Sequence, residues 1–101
     1  FGSYKNSAAK RGYKWSLSRK QFDLLVSDAC FFCHRTPRTI RRNRRGDDKF
    51  VFNGIDRLNN KIGYIKSNVV TCCQICNRAK RDMSLKDFKN WISDLSSANA
   101  N

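Results

Sequence analysis

Cysteine spacing carries the first chemical signal in this sequence. Four of the five cysteines form two Cys-x-x-Cys pairs, Cys30-Phe31-Phe32-Cys33 and Cys73-Gln74-Ile75-Cys76. Each pair sets two thiolates on one tight turn, and two such pairs supply the tetrahedral sulfur set that a structural Zn²⁺ takes. Cys72 is left over, which suits a metal site better than a disulfide framework. Inside the apolar run Val69-Val70-Thr71-Cys72 it reads as a small buried hydrophobe. His34 follows the first pair and is the only histidine. With four thiolates already filling a tetrahedron, it reads as a surface histidine after the knuckle or as a candidate base.

Charge is the second signal. Lys and Arg total 21 against 8 Asp and Glu, a formal net charge of +13. So basic a balance in a small domain is the electrostatic footprint of a nucleic-acid binder. Residues 35–49 concentrate it, with Arg35, Arg38, Arg41, Arg42, Arg44, Arg45 and Lys49 against Asp47 and Asp48. Such a run has little to bury, so the composition predicts a mobile loop. Its arginines suit bidentate phosphate or guanine contacts. Arg38, Arg41, Arg42, Arg44 and Arg45, with Arg78 and Lys80 further on, are the candidate DNA contacts. Double-stranded DNA is the expected partner; RNA stays open, because phosphate contacts carry no sugar identity.

These groups need elements to hold them. A chain of 101 residues is one domain at most, and at that size a metal staple is expected to supplement a small core. No apolar run approaches the length of a membrane span and no signal peptide is legible, so a soluble, intracellular protein in a reducing compartment is expected. Residues 1–17 read as a basic N-terminal arm or helix. Its helix formers run from Ser7 to Arg11, Gly12 is a stop, and Lys5, Lys10, Arg11 and Lys14 approach phosphates. Tyr13 and Trp15 are expected to pack onto the domain.

Residues 18–95 read as the main domain. Ser18 and Gln21 form a capping box, and Phe22, Leu25 and Val26 share one helical face. Phe50 to Leu58 reads as a strand broken near Asn53-Gly54, followed by a loop over Asn59–Tyr64 and a second strand over Asn68–Cys72. A helix should then run from Cys73 to about Arg81. Ser84 and Asp87 cap a last helix whose stripe of Phe88, Trp91, Ile92 and Leu95 is predicted to pack in the core. Residues 96–101 are expected to fray.

The stretch from Asn53 to Asp82 combines Asp56-Arg57, Gly63-Tyr64, Asn68 entering an apolar run, and a Cys-x-x-Cys followed directly by Asn77. It resembles the HNH, or ββα-metal, nuclease superfamily, in particular the small zinc-containing members of phages and other mobile elements. The resemblance covers about residues 20–95. It implies an α+β fold in which strand, loop, strand and helix surround one divalent ion, with a structural four-cysteine zinc site and flanking helices. By motif position it implies Asp56 and Asn77 as ligands of a catalytic Mg²⁺ or Mn²⁺, a role that hard oxygen donors suit. Asn68 matches the middle Asn, whose implied role is to tie the loop and orient the base. Lys80, one turn after Asn77, would reach the DNA backbone.

The departure from the pattern is Arg57, where most members carry a water-activating His. Arginine cannot accept that proton. Arg57 then clamps the scissile phosphate while His34 or Tyr64 is the base, or no dedicated base exists and the enzyme is slow, or the site only binds. The function implied is a metal-dependent DNA endonuclease, nicking or cutting both strands, in phage-infected or host-cell cytoplasm or nucleoid. The alternative is a catalytically silent, zinc-stabilised DNA-binding module. Monomer and homodimer both remain open.

Overall fold

The computed structural model describes residues 1–42, 45, 46 and 48–100. In chain order the elements are α1 (Gly2–Lys10), α2 (Arg19–Ser27), β1 (Thr39–Arg42), β2 (Lys49–Phe52), β3 (Gly54–Arg57), a 3-10 turn (Lys66–Asn68), β4 (Val69–Cys72), α3 (Gln74–Lys80) and α4 (Leu85–Asn99). The strands form two separate antiparallel pairs, β1 with β2 and β3 with β4. Helix α2 begins where the sequence predicts. Ser18 accepts the Gln21 N–H at 3.1 Å, and the Gln21 side chain accepts the Ser18 N–H at 2.9 Å.

A two-stranded sheet alone is marginal in water. The β3–β4 pair, with Asp56 opposite Val70 and Arg57 opposite Val69, is stabilised by packing against α2 and α3. Ile55 and Val69 enter a core completed by Ala8, Leu17, Phe22 and Tyr64. Residues on both sides of position 17 therefore share one core, and α1 starts five residues before the expected Ser7. Tyr64 docks the N-terminal segment through a parallel bridge, donating its N–H to Lys14 at 2.7 Å and accepting from Ser16 at 3.0 Å. Gly63 permits that approach, since a Cβ there would overlap the Lys14 backbone.

The break between β2 and β3 is Asn53, only 1% exposed. Its N–H donates to Val26 at 2.8 Å, and its side-chain amide donates to the carbonyls of Asp28 at 2.9 Å and Arg35 at 3.3 Å. One side chain thereby ties the strand junction to the end of α2 and to the exit of the first Cys-x-x-Cys turn.

Three expectations need correction. The predicted mobile loop over 35–49 contains strand β1, which pairs Ile40 with Val51 and Arg41 with Phe50. Charge hides this strand in the sequence, because Thr39-Ile40-Arg41-Arg42 lies on an exposed hairpin where arginines serve as strand residues. The stripe on α4 is the second correction. Phe88 is 2% exposed and packs edge-on against Phe32 at 4.8 Å, but Trp91 and Leu95 are 41% and 43% exposed. Periodicity marks an apolar face without saying how much of it finds a partner. The helix also continues to Asn99, past the expected fraying point.

This unequal burial makes a direct prediction. Phe88→Ala should lower the unfolding free energy by about 3–5 kcal/mol, whereas Leu95→Ala should stay within about 0.5–1 kcal/mol of the parent. Urea denaturation of both variants checks it; equal losses would put the whole stripe in the core.

Candidate functional site

The four paired cysteines converge. Their sulfurs all lie within 4.8 Å of one another, and the Cys33 and Cys73 Sγ atoms are 3.6 Å apart. Tetrahedral zinc with Zn–S bonds of about 2.3 Å requires sulfurs about 3.8 Å apart, so the cluster could hold a zinc ion. Local structure builds each half. The Cys30–Cys33 turn closes through His34 N–H to Cys30 C=O at 2.9 Å, with His34 in the left-handed region at φ 62°. Cys73 is the N-cap of α3, and its sulfur accepts the Cys76 N–H at 3.4 Å. Burial opposes ionisation of Cys30, but N–H groups of Cys33, Cys73 and Phe32 outweigh it and bring the thiol to about 7, which favours the thiolate a metal needs. Cys72 is fully buried, and burial pushes its thiol up.

A cleft of about 370 Å³ gathers Asp56 and Arg57 from β3, Tyr64 from the following loop, and Asn77 from α3. Helix α1 supplies Ser3 and Ser7 and its C-cap Arg11, spaced four apart, and Arg81 caps the end of α3. Strand β3, its loop, β4 and α3 thus bring the two oxygen-donor residues onto one surface. Asp56 is 8% exposed, and its buried Oδ2 is paired with Lys80 Nζ at 2.9 Å. A buried carboxylate and a side-chain amide that line one polar cleft could hold a single hard cation with most of its shell left to water or phosphate.

Arg57 is also buried, at 8% exposure. Its Nη1 donates to the carbonyls of Asn60 at 2.7 Å and Ile62 at 3.3 Å, and the guanidinium lies 3.6 Å over the Tyr13 ring. A hydrogen bond from Arg57 and its charge hold the Tyr13 hydroxyl below its ordinary value. Asn68, at 5% exposure, accepts the Asn59 N–H at 2.9 Å and donates to the carbonyls of Asn59, Ile62 and Gly63 at 3.0–3.1 Å. That side chain fixes the loop whose carbonyls in turn hold Arg57.

Other predicted site residues fall elsewhere. His34 is exposed on the cysteine turn and does not line the cleft. Lys80 corrects an expectation: at 0% exposure it cannot touch DNA, because its ammonium is committed to Asp56 and to the Arg57 carbonyl at 3.3 Å. Helical spacing from Asn77 suggested a surface lysine, but the residue faces the sheet. Arg41 and Arg42 line a second groove of about 760 Å³ with Arg19, and this groove shares Ser3, Tyr4 and Asn77 with the cleft. Arg38, Arg45 and Arg78 are exposed but line neither. Arg44 lies outside the described residues. Sequence reasoning overlooked Ser7, Arg81 and the Tyr13–Arg57 contact. The Ser3, Ser7, Arg11 spacing was a usable signal, whereas nothing local marks Tyr13 as a neighbour of Arg57.

No family model matches the chain. An uncharacterized protein of Acanthamoeba polyphaga mimivirus is 34% identical over 87 residues, 84% of this chain, and the chain spans 14% of that protein's length. Among solved structures, the rare-cutting HNH restriction endonuclease PacI is similar in fold with a TM-score of 0.66. The match has 23% identity and covers 96% of this chain and 74% of that one. The chain is therefore a small α+β domain of HNH-like fold, with a four-cysteine cluster that could bind zinc.

The loop clamp is testable by stability. Asn68→Ala strands several buried carbonyls and should cost roughly 2–4 kcal/mol, read by chemical denaturation of the purified protein. A loss well below that would mean the loop holds its shape without Asn68.

Proposed function

We propose that this chain is a metal-dependent DNA endonuclease domain of HNH type, hydrolysing phosphodiester bonds. The observation that carries the reading is the meeting of Asp56, Arg57 and Asn77 on one cleft of an HNH-like fold. PacI is described as an HNH restriction endonuclease that perturbs DNA, and the net charge of +13 supports DNA as the polymer bound here. Residues 18–95 would form the nuclease domain, with α1 closing one side of its cleft. The location we infer is intracellular, where DNA is reached; no helix among the described residues is long and apolar enough to cross a membrane.

Cys30, Cys33, Cys73 and Cys76 would hold zinc with no open position, which makes that ion structural. Asp56 and Asn77 would hold Mg²⁺ or Mn²⁺, which supplies Lewis-acid stabilisation of charge developing on phosphate oxygens. Arg57 keeps its Nη1 on the loop carbonyls and offers its remaining donors to the scissile phosphate. Arg11 and Arg81 on the cleft walls add positive charge where the strand enters. As water oxygen bonds to phosphorus and the bond to the leaving strand oxygen breaks, a base must take the water proton. His34 is remote from the cleft, whereas Tyr13 touches Arg57, a cleft residue whose charge favours its ionised form, so Tyr13 is our candidate for that role. Tyr64, on the cleft wall with its ring tilted against Trp15 at 5.2 Å, would orient this side. Arg38, Arg41, Arg42, Arg45 and Arg78, and Arg44 with them, would engage flanking phosphates.

Two measurements test the proposal. Zinc-loaded protein should nick supercoiled plasmid with Mg²⁺ or Mn²⁺, and Asp56→Ala should abolish nicking while still retarding DNA. The rate should climb with pH toward a midpoint below the ordinary tyrosine value of about 10, and Tyr13→Phe should lose at least about 10²-fold along with that climb. Retardation without nicking in every metal would leave a silent DNA-binding module. Separately, one zinc per chain should be found by elemental analysis, and its removal by a strong chelator should unfold the domain in circular dichroism.

A further inference from the structure

Among the described residues, one of the large fully buried side chains is a lysine, Lys80, at 0% exposure. Burying an ammonium is costly unless it is paired and hydrogen-bonded. Lys80 meets both conditions on one strand: Nζ lies 2.9 Å from Asp56 Oδ2 and donates to the Arg57 carbonyl at 3.3 Å. Cleavage chemistry at the cleft makes no use of it. The ammonium does, however, determine what Asp56 can offer. Oδ2 is sealed from solvent, yet the Asp56 side chain retains 10% exposure and lines the cleft. The other oxygen, Oδ1, is the one left to face it.

We propose that Lys80 is a positioning residue that restricts Asp56 to single-oxygen coordination of a divalent ion, by holding Oδ2 out of the cleft. This rests on the reading of Asp56 as a metal ligand. Its chemical consequence is selectivity. Mg²⁺ and Mn²⁺ accept one carboxylate oxygen in an octahedral, water-rich shell, whereas Ca²⁺ readily takes both oxygens of a carboxylate at longer distance. Lys80 thus disfavours Ca²⁺ and also lowers the net negative charge that any cation meets. Carboxylate ligands elsewhere are oriented by comparable outer contacts, whose loss changes metal affinity by about 10–100-fold.

The test is calorimetric binding of Mn²⁺ and Ca²⁺ to the zinc-loaded full chain, comparing the parent with Lys80→Met, Lys80→Gln and Asp56→Ala. Lys80→Met should raise Ca²⁺ affinity relative to Mn²⁺ by about tenfold or more. Lys80→Gln, which can still donate to Oδ2, should keep most of the parent's preference. Unchanged Ca²⁺ and Mn²⁺ affinities in Lys80→Met, with Asp56→Ala losing both ions, would sink the role of Lys80 alone. Undiminished binding by Asp56→Ala would remove the ligand assignment and this inference with it. The parent chain gives a readout independent of whether Lys80→Met folds. In lysine-selective ¹⁵N NMR, one slowly exchanging ammonium should be present and should persist as Mg²⁺ is added. Its loss to the solvent-exchanging pool on Mg²⁺ addition would show that the ion displaces Lys80, and would overturn the proposal.

Discussion

Four sulfur atoms join the two turns that flank both strand pairs of this domain. Cys30 and Cys33 sit on a turn after α2, Cys73 and Cys76 at the start of α3, and both strand pairs lie between them. Neither pair is large enough to be stable alone. Drawing the two cysteine turns together shortens the free chain between them before any strand pairs, which offsets part of the loop-closure entropy. The backbone reinforces the same junction, since Phe31 N–H donates to Thr71 at 2.8 Å. Asn53 joins it from the other side through Asp28 and Arg35. The start of α3, and with it Asn77, therefore takes its position from the sulfur cluster.

Around Asp56 the balance of charge is inverted relative to an ordinary acidic metal pocket. Lys80 touches the carboxylate, Arg57 follows it on the strand, and Arg11 and Arg81 line the same cleft. Such a site should bind a lone cation weakly, because neighbouring positive charges oppose it. A phosphate diester changes this, since it brings negative charge and further oxygen ligands at once. Under the proposed function, the cleft would assemble cation and phosphate together. The second groove, with Arg19, Arg41 and Arg42, extends the basic surface from the shared wall at Ser3, Tyr4 and Asn77.

Much of this was legible in the residues, for identifiable reasons. Cysteine spacing, the Ser18 capping box and the Asn53 strand break are local signals, because the physics that creates them acts over a few positions. The Asn68 clamp was also legible, since its motif position implied a loop tie and its four hydrogen bonds form one. The misses depend on distant packing. Nothing near Lys80 distinguishes it from a solvated helix lysine; only the approach of β3 makes it the partner of Asp56. Trp91 and Leu95 have the spacing of core residues, but the body of the domain ends beside Phe88. Strand β1 was obscured because its residues were counted as charges before being considered as a strand.

Arg57 brings these levels together. Taken along the chain, an arginine beside Asp56 is a loss, because it cannot replace a histidine as proton acceptor. In three dimensions it is held by two loop carbonyls, which Asn68 fixes, and it lies against the face of Tyr13 from a segment more than forty residues upstream. A guanidinium held this way has two effects that a mobile one would lack. It presents charge to the cleft at fixed geometry, and it makes a neighbouring phenol easier to ionise. Under the proposed function, a proton acceptor beside Arg57 would require the N-terminal segment to be docked. The Tyr64 bridge to Lys14 and Ser16, which secures that docking, belongs to the chemistry of the cleft as much as to the fold.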